Sequence, residues 1–142
     1  MNKNGPIIII EDDHDDQELF SNALKELDFS NEIIFFGDGD EALDFLNSTK
    51  EKPFIIISDI NLPKLTGIEL REKVYNNEEL KMKCIPYLFF TSSRAQATII
   101  DAYSKSIQGF FVKPSSYKEL TRMLKNIILY WKDCEAPEPG NG

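Results

Sequence analysis

The sequence predicts an α/β fold, an open, doubly wound sheet of five parallel strands with helices on both faces. Three observations predict it. Short apolar runs such as Ile7-Ile8-Ile9-Ile10 recur without the alternation of a half-exposed strand. Between them lie segments whose apolar positions fall at helical spacing. Parallel neighbours need crossovers of this kind, and those crossovers are right-handed, so regular alternation implies a sheet covered on both sides.

The first strand, residues 7–10, stops abruptly at Glu11-Asp12-Asp13-His14-Asp15-Asp16. A helix follows over 15–27, with Leu19, Phe20, Ala23, Leu24 and Leu27 on one face. Asp13, Asp15 and Asp16 suit the positive end of its dipole and read as a helix-start cluster, and His14 reads as a solvated loop residue. The second strand is 33–36. Gly37-Asp38-Gly39 breaks it before a helix carrying Ala42, Leu43, Phe45 and Leu46. The third strand, 54–57, passes through Ser58 to Asp59, and Pro63 and Gly67 force a loop beyond it. A helix with Ile68, Leu70, Val74 and Tyr75 then dissolves into a polar connection over 76–83. Residues 85–90 form the fourth strand, ending in Thr91-Ser92-Ser93, whose hydroxyls could cap the helix at 95–104. The fifth strand, 110–112, ends in Lys113-Pro114. Ser115 and Ser116 can cap a last helix with Leu120, Leu124, Ile127, Ile128 and Trp131 on one face. The pairs Phe35-Phe36 and Phe89-Phe90 read as core packing.

At 142 residues the chain has the length of one domain, assigned to residues 1–134. The remainder, 135–142, is an acidic Pro/Gly tail expected to be disordered. Sixteen basic against 24 acidic residues leave a formal net charge of -8, which repels phosphate backbones and argues against direct nucleic-acid binding. No apolar run approaches the ~20 residues of a membrane span, and the first residues lack the apolar core of a signal peptide; membrane insertion is not expected and a cytoplasmic location is. Cys84 and Cys134 suggest neither a disulfide framework nor a zinc knot.

The chemistry lies in what the strands deliver to one edge of the sheet, where open α/β folds gather their ligands. The first brings Glu11 and Asp12, the third Asp59, the fourth Thr91 and the fifth Lys113. Carboxylates held ~4 Å apart repel by ~4 kcal/mol per pair at an effective dielectric of 20, so a divalent cation is implied. An all-oxygen set suits Mg²⁺. A lysine ammonium and a threonine hydroxyl opposite it would hold the oxygens of a phosphoryl group, which makes this a site for moving phosphate onto a carboxylate.

On these residues the chain resembles the receiver domain of two-component response regulators, over about residues 7–131, in a flavodoxin-like fold. The acidic pair after the first strand matches Glu11 and Asp12, the phosphoacceptor matches Asp59, the Thr/Ser matches Thr91 and the Lys-Pro matches Lys113-Pro114. An Asp-x-x-x-Pro-x-x-x-Gly signature is met by Asp59, Pro63 and Gly67. The resemblance implies that Asn61 offers its backbone carbonyl to the metal and that Thr91 and Phe110 form a switch acting on the face made by the helix after strand four, strand five and the last helix. Phe110 departs from the Tyr often found there and has no hydroxyl to bond, so any switch at this position must work through packing. The end of the last helix, Leu129-Tyr130-Trp131, is similar to that of phytochrome-associated single-domain regulators, and its aromatics suit a homodimer or kinase contact.

The implied function is that of a single-domain response regulator, not an enzyme beyond its own phosphoryl transfer and dephosphorylation. It takes a phosphoryl group from a sensor histidine kinase or phosphotransfer protein and passes the signal to a protein partner. Three alternatives carry less weight. A degenerate, receiver-like adaptor would lack an Asp, Lys or acidic residue that is present here. A Mg²⁺-dependent aspartyl-phosphate phosphatase of the haloacid dehalogenase type wants a second Asp two residues after the first, where Asn61 cannot act as acid or base. A flavin- or nucleotide-binding module would want a Gly-rich loop where acids stand after strand one.

Overall fold

Short β-branched and aromatic runs become β1 (Ile7–Ile10), β2 (Ile33–Phe36), β3 (Ile55–Ser58), β4 (Tyr87–Thr91) and β5 (Gly109–Val112) in the computed structural model, which describes residues 1–137. The strands are all parallel, in the order β2-β1-β3-β4-β5, so strand order reverses beside β1. Ile7, Ile9 and Ile57 face one way and Ile8, Ile10 and Ile56 the other, which explains the unbroken apolar runs: both faces are buried.

The helices are α1 (His14–Leu27), α2 (Gly39–Ser48), α3 (Gly67–Tyr75), α4 (Glu78–Lys83), α5 (Gln96–Ser104) and α6 (Tyr117–Asp133). On one side of the sheet Ala42, Leu46, Leu70, Val74, Leu80 and Ala102 bring α2 to α5 onto the core. On the other, Phe20, Leu24, Leu124 and Ile128 bring α1 and α6. The Phe pairs divide between these layers. Phe36 packs on Phe45 and Phe89 on Tyr87, whereas Phe90 meets Phe20 and Phe111.

Three expectations need correction. The connection over 76–83 contains α4, started by Asn77, whose side chain accepts from Leu80 N–H at 3.1 Å. At six residues it shows too little periodicity to be read, and it docks through Leu80 and through Lys83. The buried Lys83 ammonium donates to the carbonyls of Leu46 at 3.2 Å and Thr49 at 2.8 Å, supplying the cation that the last turn of α2 lacks. The fourth strand begins at Tyr87, two residues late, because Ile85-Pro86 cannot join the ladder at the proline nitrogen. No hydroxyl of 91–93 caps α5. Its N-cap is Ala95, whose N–H donates to Ser93 Oγ at 3.3 Å.

Other sequence signals hold in detail. Ser116 caps α6 as expected; the structure adds a reciprocal capping box of Thr66 and Glu69 on α3 that was not read from the sequence. Trp131 packs against the core edge while Tyr130 stays exposed. Both cysteines are free thiols, and burial pushes the Cys84 thiol up to about 12. Of the tail, Glu135 accepts from Lys3 at 3.5 Å and Ala136 touches the core; residues 138–142, on which most of the expected disorder falls, lie outside the described residues. Among the described residues no helix is long and apolar enough to cross a membrane.

Candidate functional site

Backbone pairing places the reactive side chains before any of them touches another. Glu11 N–H donates to Phe36 O at 2.9 Å and Asp59 N–H to Ile10 O at 2.9 Å, extending the ladder past the ends of β1 and β3. Lys113 N–H donates to Thr91 O at 2.8 Å, doing the same for β5. Three strand ends therefore present Glu11, Asp59 and Lys113 to one point.

The loop after Asp59 is fixed by Gly67. A Cβ there would lie 2.1 Å from Asp59 O and 2.8 Å from Ile60 Cα, and Gly67 N–H donates to Ile60 O at 2.8 Å. Only glycine lets the start of α3 sit on the backbone of the Asp59 segment. The Asp59 carboxylate is then held at both oxygens. Oδ1 accepts from Ile60 N–H at 2.6 Å and Asn61 N–H at 3.4 Å, while Oδ2 accepts from Lys113 Nζ at 2.8 Å.

Lys113 Nζ also donates to Glu11 Oε1 at 2.6 Å and to Asp16 Oδ2 at 2.8 Å. Asp16, read as part of a helix-start cluster, is in fact a member of the site. Asp13 does cap α1, accepting from Asp16 N–H at 3.0 Å, and Asp15 is exposed. No spacing signal set it apart: Asp12 lies before the Asp13 cap of α1, so helical periodicity does not relate the two.

Burial pushes the Glu11 carboxyl up to about 9, reinforced by the Asp59 and Asp16 carboxylates beside it, so metal-free Glu11 carries a proton at neutral pH. Burial also penalises the Asp59 carboxylate, yet Glu11 and Lys113 beside it hold it below the usual carboxylate range. Lys113 is desolvated too, but Asp16, Asp59 and Glu11 together raise it. An acid kept neutral beside an acid kept ionised makes this cluster a candidate functional site.

The residues present fit a divalent cation. One carboxylate oxygen each from Glu11, Asp12 and Asp59 lie within 4.8 Å of one another. Glu11 Oε2 is buried without a hydrogen-bond partner, an oxygen that a cation could take in exchange for the proton. Hard oxygen donors suit Mg²⁺ or Mn²⁺. The cluster opens into a cleft of about 680 Å³ that Asn61 and Ser92 also line. A larger depression of about 760 Å³ at the opposite ends of the strands interleaves Lys3 and Lys50 with Glu32, Glu51 and Glu135 and converges on no single point.

Thr91 reaches the same edge, but its side chain bonds neither Asp59 nor Lys113. It is fully buried, and its Oγ1 has no hydrogen-bond partner. Phe110 is half-buried and packs edge-on to Phe89 with centroids 6.4 Å apart, one strand from Thr91.

Residues 7–125 match the response regulator receiver domain family. The chain is 30% identical over 130 residues to response regulator Rcp1 of Synechocystis sp., covering 88% of this chain and 87% of that one. Its fold superposes on the phosphorylated cyanobacterial phytochrome response regulator RcpA with a TM-score of 0.85 at 25% identity, covering 94% and 98% of the two chains. The Mn²⁺-bound form of Rcp1 gives 0.80 at 29% identity, with 93% and 98% covered.

Proposed function

Because the chain belongs to the response regulator receiver domain family, we propose that it accepts a phosphoryl group on Asp59 from a phosphohistidine of a sensor kinase or phosphotransfer protein and signals through a changed protein-binding face. The observation that carries this reading is the clamp on Asp59: a carboxylate held ionised by Lys113 at 2.8 Å and Ile60 N–H at 2.6 Å, beside two further acids.

In the proposed transfer an Asp59 carboxylate oxygen attacks phosphorus in line with the bond to the donor imidazole. The P–O bond forms as the P–N bond breaks, and the imidazole nitrogen leaves. Mg²⁺ held by Glu11, Asp12, Asp59 and the Asn61 backbone carbonyl would neutralise the carboxylates and polarise the phosphoryl oxygens. Lys113 supplies a fixed cation on the other side of the acceptor, and its N–H groups follow the charge as it develops on those oxygens. The unpartnered Thr91 Oγ1 has a donor to give to a phosphoryl oxygen, and moving it would open space beside Phe89 for the Phe110 ring. The reading assigns the protein to the cytoplasm and to non-enzymatic signalling, and leaves the exposed Tyr130 free for a homodimer or kinase contact.

Acyl phosphates are cleaved by hydroxylamine, whereas phosphate esters of Ser, Thr or Tyr are not. Incubation with acetyl phosphate and Mg²⁺ is expected to give hydroxylamine-labile label. Label that survives hydroxylamine would place the acceptor elsewhere and overturn the reading.

A further inference from the structure

An ammonium group has three N–H donors, and in this structure Lys113 has used all three. Its acceptors are Glu11 Oε1 at 2.6 Å, Asp16 Oδ2 at 2.8 Å and Asp59 Oδ2 at 2.8 Å. A phosphoryl oxygen that Lys113 takes up must therefore replace one of them. Asp59 is the acceptor itself: its carboxylate gives up its charge as the P–O bond forms, but its acyl group stays beside Lys113. Glu11 is walled in, with its side chain 2% exposed, and has nowhere to go. Asp16 differs, being 31% exposed on the first turn of α1, so its carboxylate can return to water when released. It is also the one partner of Lys113 outside the three-carboxylate cluster.

We propose that Asp16 is a positioning residue that holds Lys113 back from the phosphoryl group, so that uptake of phosphate on Asp59 displaces Asp16 and the strength of the Asp16–Lys113 pair limits how firmly the site holds phosphate. Two effects act in the same direction. Asp16 competes for a donor that the phosphoryl oxygens need, and its negative charge repels theirs. This inference rests on the proposed phosphoacceptor role of Asp59.

The test measures beryllofluoride, a phosphoryl mimic, titrated at fixed Mg²⁺ into wild type, Asp16→Asn and Asp16→Glu, with the Lys113 Nζ resonance followed by NMR in Mg²⁺-free and beryllofluoride-bound protein. Asp16→Asn removes the charge at nearly constant shape and is expected to tighten beryllofluoride about fivefold, a discounted value for a partly exposed pair. Asp16→Glu keeps the charge and is expected to stay within about twofold of wild type. In Mg²⁺-free protein the Lys113 resonance should shift in Asp16→Asn, and in wild type it should shift again when beryllofluoride binds. Unchanged or weaker binding in Asp16→Asn, or equal tightening in both variants, overturns the proposal. An unmoved Lys113 resonance in Mg²⁺-free Asp16→Asn overturns the tether on which it stands. A wild type that takes neither beryllofluoride nor phosphate refutes the phosphoacceptor reading instead, and the Mg²⁺-free resonance still reports the tether.

Discussion

Glu11 is the residue at which the site's electrostatics can be read from outside. Its carboxyl, pushed up to about 9 by burial, binds a proton more tightly in the folded protein than in the unfolded chain. A raised folded value contributes stability that is complete below about 4.5 and is lost as pH climbs towards about 9. Asp59 and Asp16 are shifted down and Lys113 up, so their contributions are constant across that window. Metal-free protein is therefore expected to lose melting temperature from pH 5 to pH 9, and Glu11→Gln, neutral throughout, to flatten the curve. Parallel pH curves for the two proteins would show that Glu11 is ionised without metal. The sequence announced Glu11 as an acid at a strand end, but its protonation depends on neighbours that only the fold brings close.

At the scale of elements, β3 and the start of α3 behave as one unit because Gly67 lets them touch. Gly67→Ala would drive a methyl into Asp59 O and Ile60 Cα, backbone atoms that cannot swing aside. The expected cost is about 1–3 kcal/mol in urea unfolding, with slower phosphorylation as Asp59 shifts. A variant as stable as wild type would mean that this contact is not tight in solution. The strands were legible because buried parallel strands are continuously apolar, as at Ile55-Ile56-Ile57. The long helices were legible from period and caps, as with Ser116 and the Leu120, Leu124 and Ile128 stripe of α6. What escaped was set by tertiary contact. The short α4 depends on Leu80 reaching the core and on Lys83 reaching the carbonyls of α2. Asp16 looked like any other acid at a helix start until Lys113 arrived from a residue 97 positions away.

For the whole molecule, the doubly wound order puts the reversal of strand order beside β1, and the reactive groups collect around it. Glu11, Asp12, Asp59 and Lys113 could be assigned from sequence because each follows an apolar run, and topology does the rest. Distances could not be read in this way: nothing in the chain says that Lys113 saturates its donors or that Thr91 Oγ1 is left without a partner. These details turn a set of strand-end residues into a clamped carboxylate. The measurement that tests this most directly is intact mass after incubation with acetyl phosphate, with and without Mg²⁺, for wild type and Asp59→Asn. The account predicts one phosphoryl adduct on wild type only, dependent on Mg²⁺, and a folded Asp59→Asn protein with none. An adduct of equal yield on Asp59→Asn, or none on folded wild type from either acetyl phosphate or a phosphorylated kinase, would contradict it.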